Sequence, residues 1–217
     1  MGLNLNEMIS TYNNIEIPAG YYPSRLVGII ELGLQKTHYK GTPKQQEQIA
    51  LLFEVYTQDI DEEPIEPMLL GKIYTKIIRE NSNLGKVLKA IRNGIEFTKE
   101  ELEKYTLSQL QLLGSPCNVY IDTYEKDGQT KLTIKEVAAF NDNSVYNFTD
   151  DFTDNIELPP SQTEYIYFDM DDSETWHSFI YMPQWVQIKV NSCLRLIEED
   201  AEFSQHGELV QRKRQTA

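Results

Sequence analysis

Residues 22–32 are dense in β-branched and aliphatic side chains and close at Gly33, the pattern of a first strand. Residues 47–56 alternate: Ile49, Leu51, Phe53 and Val55 share one face, and Gln48, Ala50, Leu52, Glu54 and Tyr56 share the other. Residues 70–78 predict a third strand, with Gly71, Ile73, Thr75 and Ile77 opposite Leu70, Lys72, Tyr74, Lys76 and Ile78. The period then changes. Leu84, Val87, Leu88 and Ile91 recur at helical spacing up to Asn93-Gly94, a stop signal. Thr98 and Glu101 have the spacing of a capping box that opens a second helix, with Phe97 and Leu102 as its hydrophobic staple. Residues 117–124 and 131–140 alternate again, and Asp127-Gly128 between them is a tight-hairpin signal.

Three strands, a helical segment and a two-strand hairpin is the element order of the OB-fold, a five-stranded Greek-key barrel. The expected fold class is therefore mainly β: a lead-in at 1–19, an OB-fold barrel at 20–140 with its helical segment between strands three and four, and a C-terminal helix. An SH3-like barrel would not need so long a helical insertion, and a doubly wound α/β sheet would alternate helices with strands. Residues 141–181 read as an acidic linker holding one short strand at 164–168. Residues 182–200 read as a helix entered at Pro183, with Met182, Val186, Val190, Cys193 and Ile197 as its stripe. Residues 201–217 lack apolar periodicity, end in Arg212-Lys213-Arg214 and are expected to be mobile.

Composition changes this picture through charge. The chain has 217 residues, 34 acidic and 20 basic, for a formal charge of −14. As an average, that opposes nucleic acid as a partner. The charge is uneven, however. Residues 140–174 hold ten acids and no base, and residues 45–67 seven acids and no base. Residues 68–95 hold six bases (Lys72, Lys76, Arg79, Lys86, Lys89 and Arg92) against Glu80 alone. Blocks of opposite sign allow one basic face on an acidic protein.

Other classes are set aside on residues. No run of about 18 apolar residues exists, and the start lacks a basic stretch leading into an apolar block, so neither a membrane span nor a secretory signal is expected. Cys117 and Cys193 form no CxxC pair, and three scattered histidines leave no zinc spacing. No GxxxxGK[ST] or GxGxxG loop is present. Asp169-Met170-Asp171 after an aromatic strand mimics the opening of a haloacid-dehalogenase-type phosphatase, but too few residues follow for that fold. The same run fails as a calcium loop, with Glu174 at the glycine position and Ile180 at the last ligand position. The expectation is a protein that is not an enzyme and takes no cofactor or metal.

Single-strand binders need cations for phosphates and flat side chains for bases. The candidates are Lys72, Tyr74 and Lys76 on the third strand, with Tyr56 beside them on the second. Lys36, Tyr39 and Lys40 fall in the segment after the first strand, and Tyr120, Tyr124, Lys126 and Lys131 on the last hairpin. The alternative is an acidic interaction protein, a DNA mimic or adaptor that binds a host DNA-processing protein through its carboxylates.

Phrases in order along the chain carry a resemblance. They are Pro18-Ala19-Gly20-Tyr21-Tyr22-Pro23-Ser24-Arg25-Leu26, Ile29-Ile30-Glu31-Leu32-Gly33, Lys72-Ile73-Tyr74-Thr75, Leu112-Leu113-Gly114-Ser115-Pro116-Cys117 and Met182-Pro183-Gln184-Trp185-Val186. Together they resemble a family encoded in the replication and recombination gene clusters of tailed bacteriophages, similar to OB-fold single-stranded-DNA-binding proteins. The resemblance implies single-stranded DNA as partner, a phage or host replication or recombination protein as a further one, and the host cytoplasm as location. The oligomeric state is left open.

Overall fold

The computed structural model describes residues 17–39, 41–57, 67–104, 106–107, 110–126, 128–141 and 158–212. The chain is mainly β. Five antiparallel strands stand in the order β3-β2-β1-β4-β5: β1 is Gly20–Tyr39, β2 Thr42–Val55, β3 Met68–Thr75, β4 Pro116–Lys126 and β5 Gln129–Ala139. Helix α1, Asn83–Ile91, and the short α2, Lys99–Lys104, separate β3 from β4. A sixth strand, β6 at Ile166–Phe168, pairs parallel with Gly28–Ile30 of β1. No ladder joins β3 to β5 among the described residues, so the sheet has two free outer strands there.

Local chemistry explains the elements. Ser82 caps α1 by accepting from the Gly85 N–H at 3.0 Å. Leu84, Val87, Leu88 and Ile91 form the buried face of α1, as their spacing predicts. The helix ends where Asn93 and Gly94 both turn to positive φ. The capping box of α2 is present in both directions: Glu101 N–H donates to Thr98 Oγ1 at 3.1 Å, and Thr98 N–H to Glu101 Oε2 at 2.7 Å.

Both faces of the β1–β3 sheet are buried. Ile49, Leu51, Phe53 and Val55 pack with Leu26, Ile29, Tyr74, the apolar stripe of α1 and Val119, Ile121, Ile134 and Val137 of the last hairpin. Ala50, Leu52, Val27, Ile30 and Leu32 pack on the other side against β6 and the C-terminal residues. The pleat sends neighbours along β1 to opposite cores, and the register shift between Leu26 and Gly28 changes the parity, so Leu26 and Ile29 join the same core.

Four expectations change. The segment after the first strand is no loop: β1 and β2 run on together as a long hairpin. The third strand stops at Thr75, short of residue 78. The helix expected at 182–200 is two pieces, α3 at Gln184–Asn191 with Pro183 as its cap and α4 at Leu194–Glu198, and a 3-10 helix at Ser173–Tyr181 precedes them in the expected linker. The described part of the expected mobile tail, residues 201–212, is folded: β7 at Ala201–Phe203 pairs with β8 at Leu209–Gln211, and Phe203 is buried. The acidic linker is packed from residue 158 onward, and residues 142–157 lie outside the described ones, as do residues 1–16, 58–66 and 213–217.

Candidate nucleic-acid interface

Between the free edges of β3 and β5, under the first turn of α1, lies a cleft of about 630 Å³. Three elements each send one lysine to it: Lys72 from β3, Lys86 from α1 and Lys135 from β5. Lys72 shares a face of β3 with Leu70 and Tyr74, so its stem follows the apolar core to the sheet edge, where the amine emerges. That amine donates to the Lys135 carbonyl oxygen at 3.1 Å and lies 5.5 Å from the centre of the Tyr74 ring. Burial, and then the charge of Lys135, hold the Lys72 ammonium below its ordinary pKa. Lys135 is the extra residue of a bulge in β5, opposite Tyr120 and Ile121, which turns its side chain outward. Its ammonium is 3.5 Å from Asp122, in a largely solvated pair. Lys86 is exposed on α1, on the side away from the apolar stripe.

Glu136 is the carboxylate on this wall, and it accepts a hydrogen bond from the Tyr21 hydroxyl at 3.0 Å. Tyr21 meets Tyr120 edge-on at 4.9 Å between ring centres. Tyr120, Asp122 and Tyr124 share one face of β4, with Tyr120 half-buried and Tyr124 exposed. Cations and partly exposed phenol rings therefore stand side by side on the β4–β5 half of the sheet.

The predicted residues are distributed unevenly around this site. Lys72 lines the cleft, and Tyr120 and Tyr124 lie on the neighbouring strand face. Tyr74 also lines the cleft, but only 6% of it is exposed and its hydroxyl has no partner among the described residues. Burial pushes its phenol pKa up. Tyr56 is 1% exposed, with its hydroxyl on Glu54. Burial thus withdraws both rings from stacking, because Tyr74 turns into the core under α1 and Tyr56, on the opposite face, turns to the buried Glu54. Lys76 reaches across to an ion pair with Glu31, where burial raises the carboxyl pKa in spite of the lysine. Lys131 is buried, not outward. Lys36 is exposed near the end of the β1–β2 hairpin; Tyr39 and Lys126 are the last residues of β1 and β4, and Lys40 lies outside the described residues.

Lys86, Lys135 and Tyr21 were not among the candidates. The signal for Lys86 was its place in the basic block, opposite the stripe of α1. For Lys135 and Tyr21 the signal is only tertiary.

A second polar centre anchors the chain after residue 157. Glu54 is fully buried and accepts from the Tyr56 hydroxyl, from Ser161 Oγ at 3.0 Å and from the N–H groups of Gln162 at 3.1 Å and Thr163 at 2.8 Å. Beside it, the Arg25 guanidinium donates to the carbonyls of Gly114 at 3.0 Å and Pro159 at 2.7 Å. This centre holds residues 158–163 on β1 and β2. Among the described residues no three His, Cys, Asp or Glu side chains are placed to hold a metal ion. No described helix is long and apolar enough to cross a membrane.

Fold and site define a mainly β protein in which a layer of helices covers one face of an antiparallel sheet and a basic cleft opens at its edge. The chain matches no protein-family model and no curated protein.

Proposed function

We propose that this chain binds single-stranded DNA with little sequence preference, as a non-enzymatic protein of phage DNA replication or recombination. The observation that carries the reading is the convergence of Lys72, Lys86 and Lys135 on one cleft in a chain of charge −14. The sheet order supports it, because β3-β2-β1-β4-β5 is the order of an OB-fold barrel opened between its third and fifth strands. The resemblance of the sequence phrases points the same way.

OB-folds bind strands across the face of their second and third strands. In this chain that outer face is occupied by α3: a Cβ added at Gly71 of β3 would stand 2.6 Å from the Trp185 ring. The DNA path is therefore displaced to the β4–β5 side, along Tyr124 and Tyr120 toward the cleft. Each stacked base there would contribute about 1–3 kcal/mol.

The test is a fluorescence-anisotropy titration of the full chain with an oligothymidylate of about thirty nucleotides, long enough for a site of about 4–16. Affinity should fall linearly with salt on logarithmic axes. Lys86→Glu with Lys135→Glu should abolish binding while the circular dichroism spectrum is unchanged. Absence of binding at low salt sinks the proposal. It would favour the second reading, an acidic interaction protein, which draws on the exposed Asp171, Asp172, Glu174, Glu198 and Glu199 of the C-terminal layer.

A further inference from the structure

The cleft differs from the groove that a continuous strand would need. Its volume of about 630 Å³ lies within the ~300–1,000 Å³ of sites that enclose a small molecule. The Lys72 amine reaches the Lys135 carbonyl, so the β3 and β5 walls are tied together. The capped first turn of α1, at Ser82 and Asn83, forms another wall and turns the positive end of the helix toward the same space. A chain threading through would have to break the Lys72 bridge. A chain end or a compact ligand would not.

Charge narrows the ligand further. Among the described residues, Lys72 and Lys86 have no carboxylate within ion-pair distance, and the pair made by Lys135 is long and largely solvated. An internal phosphodiester brings one negative charge; a terminal phosphomonoester brings about −1.5 to −2 at neutral pH and three acceptor oxygens. Three ammonium groups around one space match the monoester better. The Tyr74 ring closes the cleft on its core side.

The geometry points to a phosphomonoester site: the cleft takes the terminal phosphate of a DNA strand, or the same group on a free nucleotide, on Lys72, Lys86 and Lys135 at the head of α1. This rests on the DNA-binding reading and deepens it, since the protein would then engage strand ends as well as strand interiors.

The experiment compares oligothymidylates of equal length carrying a 5′-phosphate, a 3′-phosphate or hydroxyls at both ends, with thymidine monophosphate as competitor. One phosphorylated end should bind at least about tenfold more tightly than the hydroxyl form, in keeping with charge-assisted contacts. That advantage should vanish in Lys86→Gln, an exposed position whose change leaves the core intact, and in Lys72→Met, which keeps the apolar stem. If thymidine monophosphate erases the advantage, free nucleotides share the cleft; if it does not, the site is specific to strand ends. Equal affinity for phosphorylated and hydroxyl ends, with no calorimetric binding of thymidine monophosphate, overturns the inference while leaving DNA binding intact. Failure of every oligonucleotide to bind overturns the DNA-binding reading instead, and the calorimetry with thymidine monophosphate still decides the cleft.

Discussion

The Tyr56 hydroxyl donates to the buried Glu54 carboxylate, whereas the equally inaccessible Tyr74 hydroxyl has no partner among the described residues. The two phenols therefore carry opposite stability consequences. Tyr56→Phe leaves a buried carboxylate short of a donor and should cost about 1–3 kcal/mol. Tyr74→Phe removes a polar atom that gains nothing from burial, and should be neutral or stabilising by up to about 1 kcal/mol in the absence of ligand. Urea unfolding of the two variants measures the difference directly. A loss in Tyr74→Phe as large as that in Tyr56→Phe would contradict the assignment.

Glu54 should also give the fold an acid limit. Burial alone would raise its pKa, but the donors Tyr56, Thr163 and Ser161 outweigh burial and hold the carboxyl below its ordinary value. A depressed carboxyl contributes stability in full above the unfolded value of about 4.3 and loses it as pH falls through the folded value. Glu31 has the opposite sign: burial raises its carboxyl, so its contribution favours folding toward lower pH. Comparing Glu54→Gln with the parent chain isolates the first effect. The variant should be less stable by about 1–3 kcal/mol at neutral pH, and the gap should narrow below about pH 4. A gap that stays constant with pH would mean that the carboxylate charge is not what holds residues 161–163.

The mainly β character, the succession of strands and helix α1 along the chain and the faces of β2 were legible in the sequence because alternation is a local signal. Ile49, Leu51, Phe53 and Val55 do share one core, and the stripe of α1 does bury. Alternation says which side chains share a face; it does not say what lies over that face. Glu54 and Tyr56 looked like solvent residues, and only the donors of Ser161, Gln162 and Thr163, over a hundred positions away, make their burial affordable. The same holds for the site. Lys72 and Tyr74 were seen to share a face, but the ring is buried and the amine escapes because β3 is an outer strand. Lys135 joins them through a bulge, which no periodic pattern announces.

Gly71 and Trp185 mark the seam between the sheet and its C-terminal cover. A Cβ at position 71 would meet the indole at 2.6 Å and the Leu52 side chain at 2.7 Å, so the cover can sit this close only on glycine. Gly71→Val should cost about 1–3 kcal/mol through overpacking and shift Trp185 emission to the red as the ring is lifted into water. Trp176→Phe in both backgrounds removes the other tryptophan from the spectrum. An unshifted spectrum would show that α3 does not seat its indole on β3.

Phe203 decides whether the C-terminal hairpin is part of the fold or an appendage. Its ring centre lies 5.2 Å from those of Phe168, Trp176 and Phe179, which joins β7 to β6 and the 3-10 helix in one aromatic cluster. Its backbone is held at both ends by one side chain: Phe203 N–H donates to Asn191 Oδ1 at 2.7 Å, and Asn191 Nδ2 donates to the Phe203 carbonyl at 3.0 Å. Phe203→Ala should therefore cost about 3–5 kcal/mol, the range for emptying a large aromatic site in a core. Asn191→Ala should cost less, about 1–3 kcal/mol, by leaving those two backbone groups unpaired. Hydrogen exchange should find the amides of residues 201–203 protected in the parent chain and fast in both variants. If Phe203→Ala unfolds at the parent's urea midpoint, the aromatic cluster does not hold the hairpin, and the cover over β1–β3 is stabilised by β6, the 3-10 helix, α3 and α4 without it.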